Sequence, residues 1–279
     1  MIPATETDRP ALEAFLTDHI ATSMFPLSNL RKHGMQGGHP RAVNCWVNWK
    51  AGQVTDVLTI SEEGFVFPQC PNHPWSTVRA ILDGRPIQGI IGDAVQVAGL
   101  QRALGWRDPA AVSKVEPLYH LHLSDLRLPD CSEFTLRDLS TAPIETVLQW
   151  REAYLNEVLK VPGEDTAAKA RHEIEGYLQA GTHRVLFQGD TAVAMTGFNA
   201  QVPGVVQVGG VYTPPELRGR GLARRAVGLH LQEAGEAGVQ EAILFAASTN
   251  AARAYEAIGF RQIGEFAIVI NEHPQVVHV

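Results

Sequence analysis

The stretch "YTPPELRGRGLARRAV", Tyr212–Val227, decides how the second half of this chain is interpreted. Residues 214–224 hold two prolines, three arginines and two glycines, and an amphipathic pattern follows directly. Gly219 and Gly221 lack Cβ atoms, so their main-chain N–H groups can approach a ligand closely. The first N–H groups of the following helix are unpaired and lie at its positive end. The stretch therefore predicts an anion site suited to a pyrophosphate, whereas a lone Gly-x-Gly would favour a plain surface turn.

The strand before this loop is interrupted in two ways. Gly209 and Gly210 lie inside the β-branched run "GVVQVGGVYT", where glycine favours a bulge or a close ligand. Pro214 restricts Thr213 to an extended conformation, and neither Pro214 nor Pro215 can donate a hydrogen bond to a neighbouring strand. We expect the sheet to stop pairing here and to open a cleft, although a plain strand end is the simpler alternative.

Length and composition limit the class of protein. The 279 residues suffice for one large domain or two of ordinary size, and 45% hydrophobic residues predict a folded core. Residues 1–130 carry 11 basic and 13 acidic side chains and residues 131–279 carry 12 and 17, so neither half resembles a nucleic-acid binder. No apolar run approaches the roughly 20 residues of a membrane helix, and the first ten residues do not read as a signal peptide. Three scattered cysteines suit reduced thiols in a cytoplasm. We therefore expect a cytoplasmic protein without a nucleic-acid or membrane partner.

The best domain boundary lies near "RLPDCSEF", Arg127–Phe134, which predicts domains at 1–130 and 131–279. The second domain reads as strand, two helices, three strands, the helix after the glycine loop, a strand, a short helix and a last strand "EFAIVI". The first domain has strands at "AVNCWVNW", "VTDVLTI" and "GFVFP" and helices near residues 75–82 and 93–104. Both halves are therefore predicted as α/β.

Two motifs resemble one family. "GGVYTPPELRGRGLARRAV" resembles motif A of the GNAT acyl-CoA N-acyltransferases, Arg/Gln-x-x-Gly-x-Gly/Ala, with Arg218, Gly221 and Ala223 at the defined positions. "ARAYEAIGF", Ala252–Phe260, resembles motif B and follows at the usual separation. The resemblance covers about residues 131–279. It implies a GNAT-type central mixed sheet flanked by helices in that domain.

The resemblance also implies a mechanism, in which an amine attacks acetyl-CoA, the cosubstrate, directly in a ternary complex. Tyr255 would protonate the departing thiolate as the catalytic residue. Ser248 stands where the family often has asparagine, and Asn250 follows two residues later, so either is expected to touch the cofactor. Two segments would also bind the cofactor. The pyrophosphate loop comprises Arg218, Gly219, Arg220, Gly221, Leu222 and Ala223. The backbone that pairs with pantetheine comprises Val211, Tyr212 and Thr213.

The acceptor and its general base are less defined. No carboxylate lies in the predicted cleft strand, which offers Gln207 and Tyr212 instead. Three glutamates of the first helix of the second domain could serve, or could form a solvated face, and water could relay the proton instead; the glutamates are Glu145, Glu152 and Glu157. The expected partner is a small-molecule or peptide amine, and a homodimer is left open.

No metal site is predicted. His120 and His122 share a strand face, but no third ligand is evident in the sequence. Cys70 and His73 have near-ligand spacing without a second pair.

The first domain and the function each keep an alternative. Residues 1–130 lack the glycine loop and are compatible with a degenerate GNAT-like domain, in which residues 89–92 would be the vestige of the cofactor-side strand. An unrelated α/β domain that shapes the acceptor site is the other interpretation. For the function, the rival to an N-acyltransferase is a non-catalytic acyl-CoA-binding sensor or partner-binding module. A nucleotide-binding module is weaker, because the loop lacks the Gly-x-Gly-x-x-Gly fingerprint.

Overall fold

The computed structural model of the chain describes residues 1–106, 110–159 and 165–278. A π-helical turn, Leu155–Leu159, continues the helix that ends at Tyr154. Among the described residues, no helix is both long and apolar enough to cross a bilayer. In chain order the helices and strands are β1 (Ile2–Pro3), α1 (Arg9–Asp18), α2 (Ile20–His33), β2 (Val43–Lys50), β3 (Gln53–Ser61), β4 (Phe65–Gln69), α3 (Trp75–Leu82), β5 (Pro86–Asp93), α4 (Ala94–Leu104), β6 (Val112–His122), β7 (Phe134–Asp138), α5 (Ile144–Tyr154), α6 (Thr166–Ala180), β8 (His183–Gln188), β9 (Thr191–Val202), β10 (Val205–Tyr212), α7 (Leu222–Glu236), β11 (Glu241–Phe245), α8 (Thr249–Glu256) and β12 (Arg261–Val276).

The chain forms two compact units that differ in extent from the predicted domains. The first unit comprises residues 1–116 and 264–279, and the second comprises residues 117–263. Strand pairing explains the difference. The end of β6 pairs with β11 in the second unit, and β12 pairs with β5 in the first. The last strand therefore belongs to the unit that begins the chain, which a sequence boundary near residue 130 did not foresee.

The first unit has a mixed sheet in the order β1-β2-β3-β4-β5-β12. Strands β4 and β5 are parallel, and every other neighbouring pair in this sheet is antiparallel. The sequence did not predict α1 and α2. Pro26 lies inside α2, and an internal proline normally argues against a helix. Burial of Leu12, Leu16, Leu27 and Leu30 stabilises the two helices despite it.

The second unit has a mixed sheet in the order β7-β8-β9-β10-β11-β6. Strands β10 and β11 are parallel, and the other neighbouring pairs are antiparallel. Helices α5 and α6 pack on one face through Val147, Trp150 and Ile174. Helices α7 and α8 pack through Val227 and Tyr255 in a separate cluster. The predicted mixed α/β fold, with helices flanking a central sheet, is confirmed.

The two units share one connectivity. In each, two helices separate the first two strands, and one helix precedes and one follows the fifth strand. The same sequence of antiparallel and parallel pairs runs across both sheets, with the sixth strand supplied by β12 in the first unit and by β6 in the second. The corresponding loops of the two units can therefore be compared directly.

Candidate functional site

The loop from Arg218 to Ala223 presents a row of free main-chain donors. Gly219 and Gly221 have φ angles of +78° and +71°, which L side chains rarely adopt, and Gly221 is the N-cap of α7. Within the described part of the chain, the N–H groups of residues 219–224 donate to no acceptor. Each hydrogen bond to a charged acceptor contributes about 1.5–3 kcal/mol, so this loop can hold an anion at the positive end of the helix.

The guanidinium groups of Arg224 and Arg225 lie directly against Gly221. A Cβ atom at this position would lie 2.9 Å from Nε of Arg224 and 2.9 Å from Nη1 of Arg225. Arg225 Nη1 donates to the carbonyl of Arg220 at 2.9 Å, which fixes the loop from behind. Nε of Arg224 is buried and, among the described residues, has no acceptor. This orphaned donor and the tight packing at a glycine fit a site that accepts a phosphate group.

Arg218 turns away from the free amides and braces the loop. Its Nε donates to the carbonyl of Thr213 at 3.0 Å, and its Nη2 lies 2.6 Å from Oε2 of Glu157. The hydrogen bond to Glu157 raises the pKa of Arg218. The carbonyl of Thr213 therefore accepts a hydrogen bond from Arg218. Arg218 acts here as a positioning residue for the loop.

Strand β10 separates from β11 next to this loop, as the sequence predicted. The parallel pairing ends at Val208 and Leu244, so residues 209–212 have no partner on β11. A register shift between Gly209 and Tyr212 marks a bulge, where three residues along β10 span two along β9. Gly210 has a φ angle of +62° within it. The backbone of Val211 thus lies on the open edge of a cleft.

Tyr255 lies on α8, in the apolar cluster that this helix and α7 share with the sheet. It is 7% exposed and belongs to the apolar cluster that includes Val208 and Leu244, the last paired residues before the cleft. Its ring centroid lies 6.1 Å from that of Phe260, in an edge-on arrangement. Tyr255 is therefore packed as a core aromatic residue on α8.

Ser248 and Asn250 lie at the start of α8. Ser248 is the N-cap of this helix, and its Oγ accepts a hydrogen bond from the N–H of Ala251 at 3.2 Å. Asn250 is exposed in the first turn. The hydroxyl of Ser248 thus has a structural partner, and Asn250 keeps its side chain in solvent.

The candidate general bases are placed differently from one another. Glu157, on the π-helical turn, is held by Arg218 and also accepts from the hydroxyl of Tyr212 at 3.4 Å. Burial, and then Glu157, raise the pKa of Tyr212. Glu152 accepts from the hydroxyl of Thr166 at 3.4 Å. Among the three glutamates, only Glu157 is seen to contact the loop from Arg218 to Ala223, where it forms an ion pair with Arg218.

The structure adds a buried histidine that the sequence analysis missed. His183, on β8, stacks on Tyr177 with ring centroids 3.6 Å apart. Its Nε2 is buried without a partner among the described residues and would lie 2.8 Å from a Cβ atom at Gly210. Burial, and then Arg151, lower the pKa of His183 to about 3, so the imidazole is neutral beside the bulge. The only sequence signal is a histidine at the start of the apolar run "HRVLF".

Comparison with known proteins places this geometry in context. Residues 144–260 match the family model for the Acetyltransferase (GNAT) family. No curated protein sequence matches the chain. A Drosophila protein of known structure is 13% identical, with 96% of this chain and 97% of that chain covered and a TM-score of 0.64.

Two further structures show the same fold. A GCN5-related N-acetyltransferase from Sphaerobacter thermophilus is 12% identical, with 100% of this chain and 95% of that chain covered and a TM-score of 0.55. A tandem GNAT protein from the clavulanic acid biosynthesis pathway is 14% identical, with 96% of each chain covered and a TM-score of 0.55. At such identities the likeness concerns the fold alone. Residues 144–260 thus resemble the acetyltransferase (GNAT) family, a match that supports acyl transfer as the general function, and the chain has the GNAT fold.

Proposed function

We propose that this protein is an acetyl-CoA-dependent N-acyltransferase that moves an acetyl group to a primary amine of a small molecule or peptide. The observation that carries the proposal is the row of six N–H groups at residues 219–224 that find no acceptor in the described chain. These donors lie at the N-terminus of α7, beside the cleft that opens where β10 leaves β11. A pyrophosphate is the anion that such a row fits.

Each part of the site has a distinct role in this proposal. Acetyl-CoA supplies an activated thioester. The amides of residues 219–223 bind its pyrophosphate, and the backbone of Val211 orients the acyl arm and helps to polarise the carbonyl oxygen. Tyr255 gives its phenolic proton to the departing thiolate. A free thiol has a pKa of about 8.5 and a free phenol about 10, so this transfer costs only about 2 kcal/mol, and the phenolate regains its proton from water after the thiol leaves.

The proton of the attacking amine leaves by another route. Glu157 is held by Arg218, so it serves the loop as a positioning residue instead of acting as a general base. Water at the open side of the cleft is the acceptor that this proposal retains. We also propose that the first unit is a degenerate copy of the same fold, because it repeats the connectivity and lacks the glycine loop.

Calorimetric titration of acetyl-CoA into two matched variants tests the site. Gly219 and Gly189 have φ angles of +78° and +59°, and a Cβ atom at either would meet nothing within 4 Å. Tryptophan therefore carries a similar backbone cost at both positions, about 1–2 kcal/mol. Gly219→Trp should weaken binding at least about a hundredfold, since it fills the space before the amides. Gly189→Trp, in the hairpin between β8 and β9, should bind as the wild type does.

Thiol release with a panel of amines then separates the two functional classes. Release that depends on an amine and on acetyl-CoA supports the transferase. Binding of acetyl-CoA without release for any amine would favour the non-catalytic sensor. Absence of binding by the folded wild-type protein would contradict both.

A further inference from the structure

Two histidines and a glutamate lie close together on the sheet of the second unit, away from the pyrophosphate loop. His120 and His122 lie on β6, and Glu241 lies on β11 directly opposite His122. One ligand atom from each of the three residues lies within 4.8 Å of the others. Nε2 of His120 is 2.6 Å from Oε2 of Glu241, and the two imidazole rings lie edge-on with centroids 4.6 Å apart. Glu241 is 121 positions from His120, which is why the sequence offered no third ligand.

The backbone beneath these side chains is fixed. Five residue pairs join β6 to β11, from Glu241 and His122 to Phe245 and Leu118. The N–H of Glu241 donates to the carbonyl of Gly204 at 3.0 Å, which ties the start of β11 to the neighbouring hairpin. A site built on paired strands keeps its ligands in place before an ion arrives.

The three side chains share one face of the sheet. Their strand neighbours Tyr119, Leu121 and Ala242 point to the opposite face, into the apolar cluster that holds α7 and α8. Alternation along a strand therefore directs His120, His122 and Glu241 away from those helices. The cluster is thus separate from the pyrophosphate loop at the N-terminus of α7.

The surroundings leave the carboxylate available to a cation. In the described part of the chain, the only ion-pair partner of Glu241 is His120, and no lysine or arginine neutralises it. The side chains of His120 and Glu241 are 18% and 31% exposed, and His122 is exposed. An ion bound here would have three protein ligands and one position open to water.

We propose that His120, His122 and Glu241 bind one divalent transition-metal ion, with Zn²⁺ the ion of best fit. Two imidazole nitrogens and a carboxylate oxygen suit zinc, whereas Mg²⁺ and Ca²⁺ require mainly oxygen ligands. With bonds of about 2.1 Å, ligand atoms around a tetrahedral ion lie about 3.4 Å apart, a spacing that small side-chain rotations reach here. The bound ion cross-links β6 to β11.

Titration of tag-free, chelator-treated protein with Co²⁺ tests the proposal, because Co²⁺ substitutes for zinc and has visible d–d absorption. The wild type should bind one equivalent per chain, and Zn²⁺ should abolish the absorption. Zn²⁺ should also raise the melting temperature by several degrees, as a ligand of the folded state does. His122→Ala and Glu241→Gln should each weaken binding at least about tenfold, since even outer-shell residues of metal sites cost that much.

Two matched controls make the outcome decisive. His172→Ala removes an exposed histidine from α6 and should leave Co²⁺ binding unchanged. His39→Ala tests another close histidine pair, in which His33 and His39 stack with centroids 3.8 Å apart. The proposal is overturned if the wild type binds no Co²⁺, if binding survives both His122→Ala and Glu241→Gln, or if it follows His39. His122 is exposed, so its replacement should leave the fold intact, and equal melting temperatures of the metal-free proteins check this.

Discussion

The loop between β4 and α3 and the loop between β10 and α7 occupy the same place in the two units, yet they use their main-chain donors in opposite ways. In the first unit, the N–H of Cys70 donates to the side chain of Gln96, and that of Asn72 donates to Oδ1 of Asp56 at 2.9 Å. In the second unit, the N–H groups of residues 219–224 have no acceptor among the described residues. The donors of the first loop are thus paired with side chains of their own unit, whereas those of the second loop are free among the described residues.

The strands that lead into these loops differ in the same sense. Gln69, at the end of β4, accepts hydrogen bonds from the hydroxyls of Thr22 and Ser23 on α2, at 2.8 and 3.1 Å. Strand β10 instead ends in a bulge at Gly210 and an open edge. The comparison shows that connectivity alone does not make a cofactor site, because a few residues decide whether the backbone groups are already paired.

The largest expected effect concerns Tyr255, which has no counterpart in α4, "AVQVAGLQRAL". Tyr255→Phe should lower kcat by about 10²–10⁴-fold with little change in acetyl-CoA binding, because only the proton donor is lost. Steady-state kinetics with an accepted amine measures this. Tyr119→Phe is the matched control, since Tyr119 is 2% exposed in the same cluster and its hydroxyl donates to Glu256 at 2.9 Å. Equal losses in both variants would sink the catalytic assignment.

Acid should destabilise the second unit more than the first. Burial lowers the pKa of His183 and of His230 to about 3. Above about pH 6.5 the two histidines are neutral in both the folded and the unfolded chain. Below that pH they bind protons in the unfolded chain but not in the folded chain. The free energy of unfolding should therefore fall as the pH drops from about 6.5 towards 3, by about 2 kcal/mol per histidine at pH 5.

Denaturant unfolding at pH 7 and pH 5 measures this loss, and hydrogen exchange assigns it to a unit. His230→Gln should remove about half of the pH-dependent loss, whereas His172→Gln, on an exposed face, should remove none. Exchange that accelerates first in residues 1–116 would contradict the prediction. Among the described residues, the first unit holds no fully buried histidine.

A smaller effect is expected from the brace behind the loop. Arg218→Ala and Glu157→Gln should each weaken acetyl-CoA binding by about three- to fivefold, and the double variant should be no weaker than either single one. The ion pair itself contributes less than about 1 kcal/mol, because its side chains are 48% and 40% exposed. Calorimetry on the three variants measures this, with Arg137→Ala as the control. A loss of kcat without a change in affinity in Glu157→Gln would instead make Glu157 a general base.

The smallest effect on binding is expected in the first unit. The side chain of Asn72 donates to Asp56 and to the carbonyl of Thr55, both at 3.2 Å. Asn72→Ala should lower the free energy of unfolding by about 1 kcal/mol and change acetyl-CoA affinity by less than about twofold. Parallel denaturation and titration measure both quantities. A larger change in affinity would mean that the first unit binds the cofactor.

The sequence predicted the parts of the site that depend on local backbone chemistry. Gly219 and Gly221 indicated positive φ angles at the start of a helix, and Gly210 indicated the bulge in β10. The order of helices and strands in the second half of the chain followed from turn and helix signals, whereas the mixed sheet followed from the family resemblance. These features could be predicted because each is decided within a few neighbouring residues.

The remaining features depend on contacts between distant residues. The sequence does not show that β6 pairs with β11 and β12 with β5, because both segments have the pattern of ordinary strands. The pairing of Arg218 with Glu157 joins residues 61 positions apart. Glu145 and Glu152 could not be distinguished from Glu157 by composition, because only the π-helical turn brings the last of them to the loop.

Amide hydrogen exchange with and without acetyl-CoA tests the central claim most directly. The claim is that the donors of residues 219–224 are free for a ligand, whereas those of residues 70–75 are already used or absent. Acetyl-CoA should slow exchange in a peptide that covers residues 219–224 and leave a peptide over residues 70–75 unchanged. Protection of residues 70–75, or no protection of residues 219–224 at a saturating concentration, would contradict the account.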